Sequence, residues 1–282
     1  MDFKSAKELL TLCGSHGQTI SAVMRARECA LGETAEIAVN ARMAKAWRIM
    51  KDAAIQPLNA PLKSMGGLIG GEAARLDAYQ RATGSLCGSV VGRAVTYAMA
   101  VQEVNASMGL IVAAPTAGSA GVVPGVLLSM QEKKKFTDEQ IVSALFNAGA
   151  VGYLAMRNAT VAGAVGGCQA EVGVAAAMAA SAAVELMGGA PEQCLDAAST
   201  VLMNLLGLVC DPVGGLVEYP CQNRNAVGVA AALTAAEMAL SGIRQHIPFD
   251  KMLETMYAVG RRMPAELRET ALGGCAACGV CL

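Results

Sequence analysis

Histidine is nearly missing from this chain of 282 residues, which has only His16 and His246. A His–carboxylate metal site or a Ser–His–Asp triad is therefore hard to assemble from this chain alone. His16 lies in a Gly-flanked turn and His246 just before Pro248, so both read as structural. Charge is also scarce, at 16% of residues with a net of −1, and the longest basic run is Lys133–Lys135. That excludes the electrostatic footprint of a nucleic-acid binder. No GxxxxGK[ST] motif occurs. The glycine-rich text from Gly66 to Glu72 lacks the preceding strand and the spacing of a dinucleotide fingerprint. The first residues carry Asp2, Lys4, Lys7 and Glu8 where a secretory leader needs an apolar stretch. Val104–Gln131 has no charged residue, but Pro115, Pro124, four glycines and Asn105 interrupt it, so a lipid-facing span fits poorly. The expectation is a soluble, cytoplasmic protein.

Apolar residues are abundant, at 54%. So charge-poor a surface favours a partner subunit or an oligomer over a lone monomer. Short runs of β-branched alternation are rare, and Leu110–Pro115 is the nearest to a strand. Helical spacing marks Lys4–Leu12, a segment from Thr19 through Arg27, and one from Thr34 through Lys51, with Thr19 and Thr34 as N-caps. A Pro/Gly-rich break follows around residues 55–75. Beyond it, Met178–Met187, Leu195–Leu206, Ala226–Leu240 and Phe249–Arg262 all suit helices, several rich in alanine, the best helix former. The fold class expected is all-α, a densely packed multi-helix domain whose Gly/Pro-rich loops carry its chemistry. Residues 1–55 read as an N-terminal helical segment and 56–282 as the catalytic domain, the two forming one continuous helical unit.

Ten cysteines, with no secretory leader expected from the first residues, point to metal or catalysis rather than crosslinks. Cys13, Cys29, Cys87 and Cys194 have no special context and read as small hydrophobes. Cys168, Cys210 and Cys221 each sit beside glycine or proline, in GGCQAEVG, LVCDPVGG and EYPCQNRN. The chain ends CAACGVCL, placing Cys275, Cys278 and Cys281 in two CxxC steps. Loop-borne thiolates suit an iron–sulfur cluster, and neighbouring N–H groups can donate to its sulfurs. By spacing alone, zinc binding or a redox-active tail stand as alternatives.

The blocks CQAEVG, CDPVGG and PCQNRNA, with LKSMGGLIGGEA and ASMGLIVAAPTAGSAGVVPGVL upstream and MLETMYAVGRRMPAELRETALGG downstream, resemble the α subunit of the iron–sulfur-dependent L-serine dehydratases. The likeness runs from about residue 55 onward. It implies that Cys168, Cys210 and Cys221 hold a [4Fe–4S] cluster on three irons, the fourth staying open for substrate. It also implies that a C-terminal cysteine, here Cys281, is a displaceable fourth ligand. The implied reaction is serine to pyruvate and ammonia: the open iron acts as Lewis acid on the hydroxyl while a base takes the Cα proton. Substrate contacts are expected from Arg224 and Asn225, just after Cys221, and from Ser64 with the Gly66–Gly67 backbone. Lys63 and Ser64 are candidates for proton transfer, while Asn158, Gln169 and Glu171 flank the first thiol. The Ser–Ser–His-containing N-terminal domain of single-chain members is missing here, which implies a separate β subunit. An L-cysteine desulfidase of the same fold, or a non-catalytic electron carrier, are the rival readings.

Overall fold

The computed structural model describes residues 2–279. Among them are twelve α-helices and no strand. Two helices at the start are closed by their own side chains. Ser5 caps α1 (Ala6–His16), its oxygen accepting from Glu8 N–H, and Thr19 caps α2 (Ile20–Leu31), accepting from Ala22 N–H. Thr34 does not cap α3 (Glu36–Asn59): its hydroxyl donates to the Gly32 carbonyl at 2.6 Å, and Ala35 stands at the cap position. Then follow α4 (Glu72–Thr83), α5 (Gly88–Ala106), α6 (Val122–Lys134) and α7 (Asp138–Asn158). Thr137 and Gln140 close a capping box at the start of α7. The short α8 (Gly163–Gly166), α9 (Val174–Leu186), α10 (Pro191–Asn204), α11 (Cys221–Leu240) and α12 (Phe249–Arg262) complete the series.

Helix α9 is the axis of the molecule. Every residue from Val174 to Val184 is buried, most of them alanine, and α6, α7, α10 and α11 pack around it. A helix apolar on all sides can only be internal. Small residues set how closely its neighbours approach one another. A Cβ on Gly121 would sit 2.3 Å from the Ala98 carbonyl, and one on Gly125 would sit 2.7 Å from that of Ala94, so both glycines let α6 lie against α5. The first three helices share this core: Phe3, Leu9, Ile20 and Trp47 belong to the same buried cluster as Val151 and Ala177. No helix among the described residues is long and apolar enough to cross a membrane.

The segment read as nearest to a strand, Leu110–Pro115, is irregular and leads through a cis Ala114–Pro115 peptide into a 3₁₀ turn. Among the described residues, the one β-bridge pairs Cys210 with Arg268. Helix α11 begins at Cys221, five residues before the start that periodicity suggests, so this thiol opens a helix instead of riding in a loop.

Candidate active site

The three context-marked cysteines arrive from separate elements. Cys168 follows Gly167, whose φ of 75° is a left-handed conformation glycine adopts freely, and precedes a π turn over Gln169–Gly173. A Cβ on Gly167 would lie 2.7 Å from both the Leu208 carbonyl and Met263 Sδ, so glycine is required for the chain to pass there. Gln169 fixes the turn. Its amide nitrogen donates to the carbonyls of Gly166 (2.8 Å) and Met256 (2.9 Å), and its oxygen accepts from Gly207 N–H at 2.9 Å. Cys210 is clamped by the segment after α12: its N–H donates to the Leu267 carbonyl at 2.9 Å, and its own carbonyl accepts from Glu269 N–H at 2.6 Å. Cys221 is the first residue of α11, after a cis Tyr219–Pro220 peptide.

All three thiols are buried. One ligand atom each from Cys168, Glu171 and Cys210 lie within 4.8 Å of one another. Glu171 comes from the π turn; its Oε1 accepts from Thr116 Oγ1 at 2.7 Å, and its Oε2 faces Cys210 Sγ at 3.5 Å. Burial raises the Glu171 pKa, and it pushes Cys221 up to about 12. The hydrogen bond between Cys210 and Cys168 pulls Cys168 below the ordinary thiol range and holds the Cys210 proton in place. Cys13 and Cys194 offer the contrast: both sit in the apolar core, where burial, with the Glu185 carboxylate adding to it, raises their pKa values.

Behind the thiols lies a largely buried ion pair, Asp211 fully enclosed and Arg224 partly so. Arg224, on the first turn of α11, donates to the Val209 carbonyl at 2.7 Å, and the same nitrogen lies 2.7 Å from Asp211 Oδ1. Asp211 Oδ2 in turn accepts from Cys275 N–H at 2.6 Å. The 3₁₀ turn Gly274–Ala277 is thereby docked beside this pair. At Gly274 (φ 58°) a Cβ would sit 2.2 Å from Asp211 Oδ2. Cys281 lies outside the described residues.

The remaining residues singled out from sequence divide into two groups. Asn225 is fully buried and saturated: it donates to the carbonyls of Gly118 (2.8 Å) and Cys221 (2.9 Å), and it accepts from Gly121 N–H and Gln102. Asn158 donates to the Lys4 carbonyl, tying the end of α7 to the N-terminal segment. Ser64 is buried while Lys63 is exposed, its carbonyl accepting from Ser107 Oγ at 3.0 Å. The loop carrying Ser64, Gly66 and Gly67 grips a carboxyl group that sequence reading did not single out, that of Glu218, three residues before Cys221. Val217, its neighbour, faces Gly118, which also borders Glu171 Oε1. One continuous patch therefore runs from the Ser64 loop to the thiols.

The donor set fits a metal group of soft character. Two buried thiols, Cys168 and Cys210, converge with one carboxyl, while the third thiol, Cys221, is buried but outside that group. Thiolate sulfur selects iron–sulfur, zinc or cuprous centres. Glycine at 163 lets the Glu171 and Cys210 side chains lie against the backbone: a Cβ there would stand 2.4 Å from Glu171 Oε2 and 2.9 Å from Cys210 Sγ.

The chain matches the family model described as serine dehydratase alpha chain over residues 15–276. It is 48% identical over 275 residues to a probable L-serine dehydratase alpha chain of Bacillus subtilis (strain 168), covering 98% of this chain and 91% of the relative. Identity is 41% over 272 residues to the L-serine dehydratase alpha chain of Peptoniphilus asaccharolyticus, covering 96% and 93%. It is also 38% identical to the L-serine dehydratase TdcG of Escherichia coli (strain K12), with 99% of this chain covered against 63% of that longer protein.

Proposed function

The chain belongs to the serine dehydratase alpha-chain family, and on that premise we propose that it is the α subunit of an L-serine ammonia-lyase. The enzyme is a carbon–oxygen lyase that turns L-serine into pyruvate and ammonia, working in the cytoplasm with a β subunit. The observation that carries this reading is the convergence of Cys168, Cys210 and Glu171 within 4.8 Å; Cys221, also buried, lies outside that group. Cys168, Cys210 and Cys221 would hold a [4Fe–4S] cluster, and Cys281 is assigned as its displaceable fourth ligand. When bound, such a cluster supplies a Lewis acid for the departing hydroxyl.

The chain's own residues do the rest. Ser64 Oγ and the N–H groups of Gly66 and Leu68, which hold the Glu218 carboxyl in this structure, present donors at carboxylate spacing and would orient the amino acid once they are free. Arg224 is committed to Asp211 and the Val209 carbonyl, so its charge acts on the thiols: beside Cys168 it favours the thiolate. Asn225, with its hydrogen bonds already filled, holds the α11 start against the Gly118–Gly121 turn. Of the two proton-transfer candidates, Ser64 has the better support, since its hydroxyl is buried and donates to a carboxyl group, whereas Lys63 is exposed.

The test is anaerobic co-purification with the β chain, followed by iron and sulfide analysis and assay of L-serine, L-threonine and L-cysteine. Pyruvate from serine with three or more irons per α chain is the expected outcome. Sulfide release from cysteine in preference to serine turnover would move the assignment to a desulfidase. Full activity of the α chain alone would remove the partner.

A further inference from the structure

A carboxyl group already fills the loop assigned to the substrate. Glu218 Oε1 accepts from Gly66 N–H at 2.6 Å, while Oε2 accepts from Ser64 Oγ at 2.7 Å and Leu68 N–H at 3.0 Å. Ser64 Oγ is itself steadied by the N–H groups of Gly67 (3.1 Å) and Ile69 (3.3 Å). Both oxygens of Glu218 are thus matched by donors from one short stretch of backbone, the manner in which nests of N–H groups capture a free carboxylate. None of the ion pairs among the described residues includes Glu218, so neutral donors alone hold it. Gly66 makes this approach possible: a Cβ there would lie 2.9 Å from Glu218 Oε1 and 2.4 Å from Leu216 Cδ1.

Apart from the Glu218 side chain, the segment that delivers it is held by hydrogen bonds within its own turn, such as Val213 N–H to the Tyr219 carbonyl at 2.9 Å, and by the Leu216 and Val217 side chains. From Val213 to Tyr219, Glu218 is the one buried residue, at 2% exposure, and its neighbours are half-buried or exposed. Two left-handed glycines, Gly214 (φ 65°) and Gly215 (φ 73°), shape the turn. The donors of the Ser64 loop are saturated, and a second carboxylate beside the first would be repelled by it. The loop can therefore take a substrate carboxylate only when Glu218 leaves.

We propose that Glu218 is the resident occupant of the carboxylate receptor at Ser64–Leu68, and that L-serine binds by displacing it and freeing the Val213–Tyr219 turn. This rests on the assignment of the Ser64 loop as the substrate's carboxylate site. The occupant lowers apparent affinity by the fraction of molecules in which it is out; with the open form near a tenth, that is about tenfold. Since the turn joins Cys210 to Cys221, arrival of substrate is also felt in the backbone linking two of the thiols.

The test uses the assembled α/β enzyme as wild type, Glu218→Gln and Ser64→Ala, with L-alanine as a probe that carries the carboxylate and amine but has no hydroxyl to eliminate. Glu218→Gln keeps the shape but turns amide hydrogens toward N–H donors, so KM for L-serine and Ki for L-alanine should both fall by about tenfold, with kcat changed less. In the wild type, saturating L-alanine should raise amide hydrogen exchange across residues 213–219. A rise in KM and Ki in Glu218→Gln, or unchanged exchange under saturating L-alanine, would make Glu218 a permanent pin and overturn the proposal. The wild-type exchange measurement stands even where the variant fails to fold. Ser64→Ala with unaltered KM and Ki would remove the carboxylate site itself, and the displacement with it. Weakened binding in Ser64→Ala beside unimproved binding in Glu218→Gln would sink the displacement alone.

Discussion

Cys168 is set apart from the other cysteines by what surrounds its sulfur. A hydrogen bond from Cys210 and the charge of Arg224 both favour its thiolate, whereas Cys13 and Cys194 meet apolar neighbours that favour the protonated form. Cys168→Ser should therefore abolish iron retention in the anaerobically purified complex, while Cys13→Ser leaves iron content unchanged; iron and sulfide analysis reads both. The ion pair behind the thiols gives a second prediction. Removing one partner of a buried pair strands the other charge, and Asp211→Ala should cost about 3 kcal/mol in denaturant unfolding. A loss within the error of the titration would mean that Arg224 is solvated in the folded protein.

At the scale of elements, legibility from sequence followed the reach of the signal. Thr19 and Pro248 announce α2 and α12 because a cap or a proline acts on its own neighbours, and α12 has the bounds Phe249–Arg262 that its pattern suggests. Thr34 carries the same letters as a cap, but its hydroxyl found the Gly32 carbonyl first, two residues back. Glu171 was marked by its place beside Cys168, but its partner Thr116 was not, and Asp211 and Glu218 were not singled out, since each matters through a partner brought from far along the chain, Cys275 and Ser64. The π turn was equally hidden, because one extra residue per turn over five residues leaves no periodicity to read.

Helix α7 supplies an element-level test with a pH sign. Asp138 opens it and accepts from Lys51 at 2.8 Å, from Gln131 and from Trp47 Nε1, which lowers its pKa to about 2 from 3.8. A folded-state pKa below the unfolded one adds stability that is complete above the unfolded value and is lost as pH falls toward 2. The side chain is half exposed, so solvent screening reduces the contribution to about 1 kcal/mol. Asp138→Asn should accordingly destabilise by that amount at pH 7 and by only a small part of it at pH 2, vanishing below the folded pKa. A difference between the two proteins that is the same at both pH values would show that the carboxylate's charge is irrelevant.

For the whole molecule, the question is whether the first 55 residues can be parted from the rest. Two long-range links argue that they cannot. Asp250, at the start of α12, accepts from Ala6 N–H at 2.7 Å and from Lys7 N–H at 3.1 Å, so the last helix caps the first. Trp47 is buried in the common core while its ring nitrogen donates to Asp138 of α7. Helix α12 also offers the Met256 carbonyl to Gln169, which places the N-terminal cap one helix away from the turn that presents Cys168. We expect one cooperative unit. Trp47→Ala should lower stability by about 3–5 kcal/mol and reduce iron retention along with it, in a single unfolding transition by both circular dichroism and tryptophan-independent probes. A fragment of residues 56–282 should fail to fold alone, because the faces of α5 and α7 that α2 and α3 cover would then be exposed. A soluble fragment that keeps its iron and unfolds at the same denaturant concentration as the full chain would instead make the N-terminal helices an independent domain.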